Sequence, residues 1–180
     1  MANNIIITGA NQGIGYYMVK KLLADGNKVS VLDIETENLA NLKKQYSCLI
    51  FYKVDLRNYD EIKAAVDETV AEFGAIDIAV HNACKCTFES EKETDLDTYN
   101  DVFDVNYFGA LRLVKSVIPY MSAQQKGRVI FTSSGVGVTG FMNISPYSST
   151  KGALEALAKC LRIEYAKDNI SFHIMHPPLT

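Results

Sequence analysis

Short apolar runs alternate along the whole chain with longer segments of mixed polarity. β-Branched and aromatic residues gather in six runs, which predicts strands near 4–8, 28–33, 48–54, 76–81, 127–133 and 169–175. Apolar residues at helical spacing between these runs predict helices near 14–25, 36–46, 59–73, 95–122 and 147–167. Gly26 and Gly74 stand where left-handed glycines commonly end a helix.

This alternation of strands and helices predicts the fold class. Apolar strands joined by helices form a parallel sheet that helices cover on both faces. Right-handed crossovers favour the strand order 3-2-1-4-5-6, with a ligand bound above strands one and four. We therefore predict a single α/β domain over residues 1–180, a doubly wound, Rossmann-like parallel sheet without repeats or an interdomain linker.

Composition excludes several classes of function. A net charge of −3 and a pI near 5.6 argue against a nucleic-acid partner, which would require a basic stripe. No apolar run approaches the ~18 residues of a membrane span. Residues 1–4 lack the basic region of a secretory signal, and four cysteines are too few for a disulfide scaffold. We therefore expect a cytoplasmic protein.

A glycine-rich turn follows the first predicted strand and spans Thr8 to Gly15. Its glycines allow a tight turn and a close approach of the backbone to a pyrophosphate. The helix from about Ile14 would offer free N–H groups and the positive end of its dipole to the phosphates. Asp33 ends the second strand 20 residues after Gly13, about where an acid binds an adenosine ribose. The alternative is that Asp33 caps the next helix.

Ser134, Tyr147 and Lys151 are the candidate catalytic residues. If Pro146 opens a helix, Tyr147 and Lys151 share one helical face. An ammonium roughly 4 Å from a phenol, at an effective dielectric of about 20, supplies up to roughly 4 kcal/mol, or nearly ~3 pKa units. That could bring the phenol, with its ordinary pKa of ~10, near the range for proton transfer. Alone, a Tyr-x-x-x-Lys pair also occurs by chance.

These residues, in this order, resemble the short-chain dehydrogenase/reductase (SDR) family over nearly the whole chain. Gly9, Gly13 and Gly15 have the family's Gly-x-x-x-Gly-x-Gly spacing. The other matching segments are Val54-Asp55-Leu56, His81-Asn82-Ala83, the stretch around Asn106, the trio of Ser134, Tyr147 and Lys151, and His176-Pro177.

The resemblance implies an NAD(P)-dependent oxidoreductase that interconverts an alcohol and a carbonyl. It makes Tyr147 the acid or base, and Lys151 the residue that lowers the pKa of Tyr147 and binds the nicotinamide ribose. Ser134 would hold the substrate oxygen, and Asn106 would support a water-linked proton path. The implied cofactor-binding residues are Thr8, Gly9, Asn11, Gln12, Gly13, Ile14, Gly15, Asp33, Asp55, Leu56, Asn82, Ala83, Tyr147, Lys151 and Pro177. Since Asp33 would repel a 2′-phosphate, NAD is expected rather than NADP.

The expected partner is a small-molecule alcohol or carbonyl, whose identity the sequence leaves open. The resemblance also implies a homo-oligomer that forms through the helices at 95–122 and 147–167. The apolar stripe of Leu111, Val114, Ile118 and Met121 is equally typical of an ordinary core.

Three positions depart from the family pattern. Cys84 replaces a glycine near the cofactor, His81 replaces an asparagine, and Pro178 stiffens a turn that should flank the nicotinamide. His81, Cys84 and Cys86 are too few for a structural zinc site, which needs four ligands, so no metal is expected.

The chain stops at Thr180, whereas family members continue for about 60 to 80 residues, roughly a third of a typical domain. The expectation is a C-terminally truncated domain without its substrate-binding segment. Such a chain would bind NAD(H) weakly, turn over poorly and expose a strand edge near 170–175 that invites self-association. The alternative function is a non-catalytic dinucleotide-binding module or an inactive fragment.

Overall fold

The computed structural model describes residues 2–178. Six strands form one parallel sheet: β1 (Asn4–Thr8), β2 (Lys28–Asp33), β3 (Leu49–Lys53), β4 (Ile78–His81), β5 (Gly127–Thr132) and β6 (Ile170–Met175). Their order is β3-β2-β1-β4-β5-β6, which confirms the predicted doubly wound arrangement. Strands β2 and β3 lie on one side of β1, and β4 to β6 lie on the other side. Parallel sheets of this kind bind ligands beyond the carboxyl ends of the two strands at this change of side, here β1 and β4.

Within residues 2–178, seven α-helices connect these strands. They are α1 (Gly13–Ala24), α2 (Glu37–Lys43), α3 (Tyr59–Phe73), α4 (Leu96–Phe103), α5 (Gly109–Ala123), α6 (Val136–Thr139) and α7 (Ser145–Glu164). Local sequence explains several of their ends. Asn58 accepts hydrogen bonds from the first-turn N–H groups of α3, and Gly74 ends the same helix at a φ of 85°. In the described part of the chain, no helix combines the length and apolarity that a membrane crossing requires.

The single helix predicted over 95–122 is wrong in one respect. The structure divides it into α4, a π-helical turn at Asp104–Phe108, and α5. Asn106 lies inside this turn with its side chain fully buried. The wider turn occurs where the Asn106 amide bonds to the loop after β4, and periodicity alone does not encode that contact. The short helix α6 was not predicted.

The core forms on both faces of the sheet because neighbouring strand residues point in opposite directions. On β1, Ile6 packs with the side of the sheet that α3, α5 and α7 cover. Ile5 and Ile7 pack on the opposite side, which α1 and α2 cover. On α5, Val114, Ile118 and Met121 are buried in the first of these cores. Most of the stripe considered for assembly is therefore core, and the oligomer stays a prediction.

Candidate active site

A cleft of about 1240 Å³ opens at the carboxyl ends of the strands, beside the reversal of strand order. It is large compared with the roughly 300–1,000 Å³ of common small-molecule sites. The predicted site residues that line it are Gly9, Gln12, Gly13, Ile14, Asp33, Asp55, Leu56, Asn82, Ala83, Ser134, Tyr147, Lys151 and Pro177. The remaining predicted site residues, Thr8, Asn11, Gly15 and Asn106, are buried and do not line the cleft.

The three glycines of the turn serve different purposes. Gly9 has a φ of +66°, and a Cβ there would lie 2.3 Å from the Ala83 Cα. A Cβ on Gly15 would lie 2.5 Å from the Gly9 carbonyl oxygen. Gly13 also has a positive φ, +58°, but a Cβ on it would meet nothing within 4 Å. Two glycines thus permit close packing of the backbone, while Gly13 leaves the cleft open in front of α1.

The start of α1 provides hydrogen-bond donors to the cleft. Its first intrahelical bond runs from the Tyr16 N–H to the Gln12 carbonyl at 3.2 Å. The N–H groups of residues 13–15 therefore point past the end of the helix. The first turn contains no acidic side chain to repel an anion. Together with the helix dipole, these donors fit a pyrophosphate.

Thr8 organises the loop that follows β4. Its buried hydroxyl accepts hydrogen bonds from the backbone N–H groups of Asn82 and Ala83 at 3.2 and 3.3 Å. The Asn82 side chain donates to the Gly9 carbonyl at 2.6 Å. The glycine turn and the β4 loop are therefore fastened together, which fixes one wall of the cleft.

His81 extends this network toward Asn106. Its Nε2 lies 3.0 Å from the Asn106 carbonyl, which can only accept, so Nε2 carries the proton. Its Nδ1 then accepts from the Thr8 hydroxyl at 3.1 Å. Complete burial, together with the Lys151 charge, lowers the pKa of His81 to about 3. The ring is therefore a neutral bridge between Thr8 and Asn106, a role that the sequence interpretation missed.

Because both ring nitrogens of His81 are engaged, this side chain does not join Cys84 and Cys86 as a ligand. Across residues 2–178, no group of three or more His, Cys, Asp or Glu side chains is arranged to hold a metal ion.

Asp33 presents its carboxylate at the end of β2. One oxygen accepts from the Asn11 N–H at 2.7 Å and the other from the Glu35 N–H at 3.1 Å. The alternative role of Asp33 as a helix cap is wrong. The side-chain oxygen of Asn11 accepts instead from Asn38 and Leu39 in the first turn of α2, at 3.0 and 3.3 Å. The buried Asn11 side chain thus fastens the glycine turn to the start of α2, and its cofactor role stays a prediction.

Asp55 is tied into a chain of ion pairs at the same end of the cleft. Arg57 donates to both oxygens of Asp55 and reaches Asp101 on α4 at 3.0 Å. Lys85 also pairs with Asp101. Hydrogen bonds from Arg57 hold the pKa of Asp55 below its usual range, although burial opposes them. Sequence reasoning missed Arg57 and Asp101, because their contact spans 44 positions.

Tyr147 and Lys151 lie on α7 as the spacing predicted, and Pro146 is in the first turn of that helix. The Lys151 Nζ is 5.1 Å from the centre of the Tyr147 ring. It donates to the Thr132 carbonyl at the end of β5, at 2.7 Å. Ser134 follows β5 by two residues and lines the same end of the cleft. The structure therefore brings the three candidate catalytic side chains together.

The electrostatics of this trio differ from the prediction. Burial raises the pKa of Tyr147, as does the Cys84 side chain, and the Ser134 hydroxyl only partly opposes them. Burial also lowers the pKa of Lys151. The predicted lowering of the phenol pKa is therefore wrong for this arrangement. The physical reason is that desolvation disfavours the charged form of both groups.

Asn106 acts on the site from behind. Its amide group donates to the Lys85 carbonyl at 2.9 Å and to the Thr150 hydroxyl at 3.0 Å. Its side-chain oxygen accepts from the Lys85 N–H at 2.6 Å. Asn106 thus clamps the loop after β4 against α7 beside the catalytic trio. The water-linked proton path stays a prediction.

Cys84 and Pro178 also line the cleft, as their departures from the family pattern anticipated. Cys84 is exposed to the cleft and close enough to Lys151 to influence its pKa. Beside Pro177, His176 pairs with Glu155 at 2.8 Å. A thiol therefore occupies the space near Tyr147 where a glycine would leave room.

Comparisons with known proteins agree with this geometry. The family described as short chain dehydrogenase matches residues 3–180, and the chain belongs to that family. A dehydrogenase/reductase SDR family protein 7-like from Anopheles gambiae is 31% identical over 96% of this chain, which spans 57% of that relative.

Solved structures show the same fold. A xylitol dehydrogenase with NAD+ bound matches with a TM-score of 0.91 and 28% identity. The match covers 97% of this chain and 70% of the xylitol dehydrogenase chain. ElxO with NADP bound also matches with a TM-score of 0.91, at 25% identity. The match covers 98% of this chain and 73% of the ElxO chain. The chain therefore belongs to the short chain dehydrogenase family and shares the fold of these two dinucleotide-bound structures.

Proposed function

We propose that the chain binds NAD(H) in this cleft and interconverts an alcohol and a carbonyl by hydride transfer. One observation carries the proposal: Ser134, Tyr147 and Lys151 line the same cleft as the glycine turn and Asp33. A cradle for a dinucleotide is thereby continuous with hydroxyls that can hold and protonate a substrate oxygen.

The preference for NAD(H) is supported by the charges at the adenine end. The Asp33 carboxylate can accept hydrogen bonds from free ribose hydroxyls and would repel a 2′-phosphate. Arg57, a cation that also lines the cleft, is already paired with Asp55 and Asp101. The donors of residues 13–15 suit the pyrophosphate. When bound, the dinucleotide supplies the hydride acceptor or donor.

Proton transfer at the substrate oxygen falls to Tyr147, with Ser134 donating a hydrogen bond to the same oxygen. A phenol whose pKa is raised stays protonated at neutral pH, which suits proton donation during carbonyl reduction. Lys151 uses one N–H on the Thr132 carbonyl and keeps two for the nicotinamide ribose. Asn106 positions the loop and helix that hold these groups.

A non-catalytic dinucleotide-binding module is the second candidate, and Cys84 is the observation that favours it. The thiol stands beside Tyr147 and narrows the space that a nicotinamide ring would need. Binding of the adenine half would be unaffected, since the glycine turn and Asp33 lie elsewhere in the cleft.

Titration with NADH, followed by its fluorescence, and a carbonyl-reduction assay distinguish the two candidates. For an enzyme, Tyr147→Phe should remove turnover and leave the NADH dissociation constant nearly unchanged, because the hydroxyl acts only during reaction. Lys151→Ala should lower turnover and also weaken NADH binding, since Lys151 is proposed both to assist Tyr147 and to bind the nicotinamide ribose. NADH binding without turnover in the wild-type protein would favour the module. Activity of Tyr147→Phe near the wild-type level would refute the catalytic assignment.

We further propose a cytoplasmic homo-oligomer that assembles through the helices predicted at 95–122 and 147–167. Leu96 on α4 and Ile163 on α7 support this, since both are large apolar side chains with nearly four-fifths of their surface exposed. The four free cysteines are consistent with a reducing compartment. Sedimentation velocity tests the assembly, and a purely monomeric protein at micromolar concentration would contradict it.

A further inference from the structure

The cleft beside Tyr147 has an apolar wall formed by the side chains of Phe88, Phe141 and Ile144. Phe88 is 83% exposed and Phe141 is 68% exposed, although large aromatic side chains usually find cover. Ile144 immediately precedes α7, the helix that carries Tyr147. This wall therefore belongs to the catalytic end of the cleft.

Two loops are held together to make this wall. The backbone N–H of Glu89 donates to the Asn143 carbonyl at 2.8 Å, which joins the segment after β4 to the segment before α7. Cys86, two residues before Phe88, is close enough to Tyr147 to raise its pKa. Phe88 and Phe141 therefore lie on two joined loops that line the same cleft as Tyr147.

Polar side chains at this end are largely engaged within the protein. The Thr139 hydroxyl bonds to the carbonyls of Gly135 and Gly140, each at 3.2 Å. The Ser133 hydroxyl and the His176 ring both bond to Glu155. A polyhydroxylated substituent would lose its water here and gain few partners, which is costly.

The ionic residues of the cleft belong to its other end or are paired. Asp55, Arg57, Asp101 and Lys85 form one chain of ion pairs, which runs from the adenine end to the loop after β4, so the Lys85 ammonium is already paired. Lys151 is 1% exposed and donates to a backbone carbonyl. A carboxylate or phosphate on the substrate would find no nearby countercharge among the described residues of this wall.

We infer that the substrate carbonyl or alcohol carries an aromatic or alkyl substituent, which packs against Phe88 and Phe141 while its oxygen meets Ser134 and Tyr147. This rests on the proposed function and adds the substrate class. An apolar group buried in a pocket commonly changes specificity by about 10- to 200-fold. A substituent ending in a hydroxyl gains none of that contact.

A matched pair of ketones tests the inference: 4-phenylbutan-2-one and 4-hydroxybutan-2-one share the reacting carbonyl and differ in the distant group. Saturation-transfer NMR with and without NAD+ reports binding without turnover, and NADH oxidation reports kcat/KM. We expect saturation transfer to the phenyl protons, none to the hydroxybutanone, and a kcat/KM at least ~10-fold higher for the phenyl ketone.

The double variant Phe88→Ser/Phe141→Ser should abolish that preference. Tyr17→Ser removes an aromatic side chain of similar exposure, 72% exposed on α1 outside both the cleft lining and the proposed interface, and should keep the preference. The NADH titration shows that each variant is folded.

Absence of saturation transfer from the phenyl ketone under both conditions overturns the inference, as does a double variant that retains the preference. Binding of the phenyl ketone by a protein that neither binds NADH nor turns over would instead refute the proposed function and leave the inference standing.

Discussion

Mild acidification should destabilise this protein through His81. The ring is completely buried, and its pKa is lowered to about 3 from an ordinary value of 6.5. In the folded state it therefore remains neutral at pH 5, whereas in the unfolded chain it gains a proton as the pH falls below 6.5. The unfolded state then binds more protons than the folded state, so stability falls with pH across the window from 6.5 to about 3.

The magnitude follows from the separation of the two pKa values. Each pH unit inside the window lowers the free energy of unfolding by up to about 1.4 kcal/mol. The free energy of unfolding at pH 5 is therefore about 2 kcal/mol lower than at pH 7. That is a large part of the roughly 5–15 kcal/mol of a typical domain. Carboxylates such as Asp55 and Asp101, whose pKa values are lowered, should contribute only near and below pH 4.

Urea unfolding followed by circular dichroism at pH 7.0, 6.0 and 5.0 measures this dependence. His81→Asn restores the residue that the family pattern carries and should flatten the slope between pH 6 and 5, whatever it does to stability at pH 7. His173→Gln is the control, because the His173 side chain is exposed, whereas His81 is completely buried. If the free energy of unfolding of the wild-type protein did not fall between pH 7 and pH 5, the assignment of His81 as a buried, neutral side chain would be wrong.

Three further predictions concern the cleft. Gly9→Ala should lower the free energy of unfolding in urea by more than ~2 kcal/mol, and Gly13→Ala should lower it by less. Both glycines have a positive φ, but only a Cβ on Gly9 would clash with Ala83. Equal losses of unfolding free energy would contradict this packing argument. Cys84→Gly should tighten NADH binding by several-fold in a fluorescence titration, and weaker binding would show that the thiol helps the cofactor. If the Asp33 carboxylate faces the adenosine ribose as proposed, it would repel a 2′-phosphate, and parallel titrations should give tighter binding of NADH than of NADPH. The reverse order would overturn the proposed cofactor.

The strand order followed from the sequence because its causes are local or general. The runs around Ile5–Ile7 and Val29–Leu32 have the apolar character of buried strands, and the helical segments between them impose right-handed parallel crossovers. The same holds for Tyr147 and Lys151, whose shared face depends only on a helix that begins near Pro146. Short-range spacing is sufficient for such features.

What the tertiary structure decided depends on contacts between distant positions. The bond from His81 to Asn106 spans 25 residues, and that from Arg57 to Asp101 spans 44. The π-helical turn around Asn106 likewise accompanies bonds to a segment 21 residues away. No local pattern marks these pairs, since each needs the sheet to bring its partners together.

The direction of the Tyr147 pKa has the same origin. Sequence spacing places a cation near the phenol and predicts a lowered value. Burial is a property of the assembled core, and here it raises the pKa of Tyr147 and lowers that of Lys151. The sequence determined which side chains meet, and the surrounding structure determined how strongly each one is desolvated.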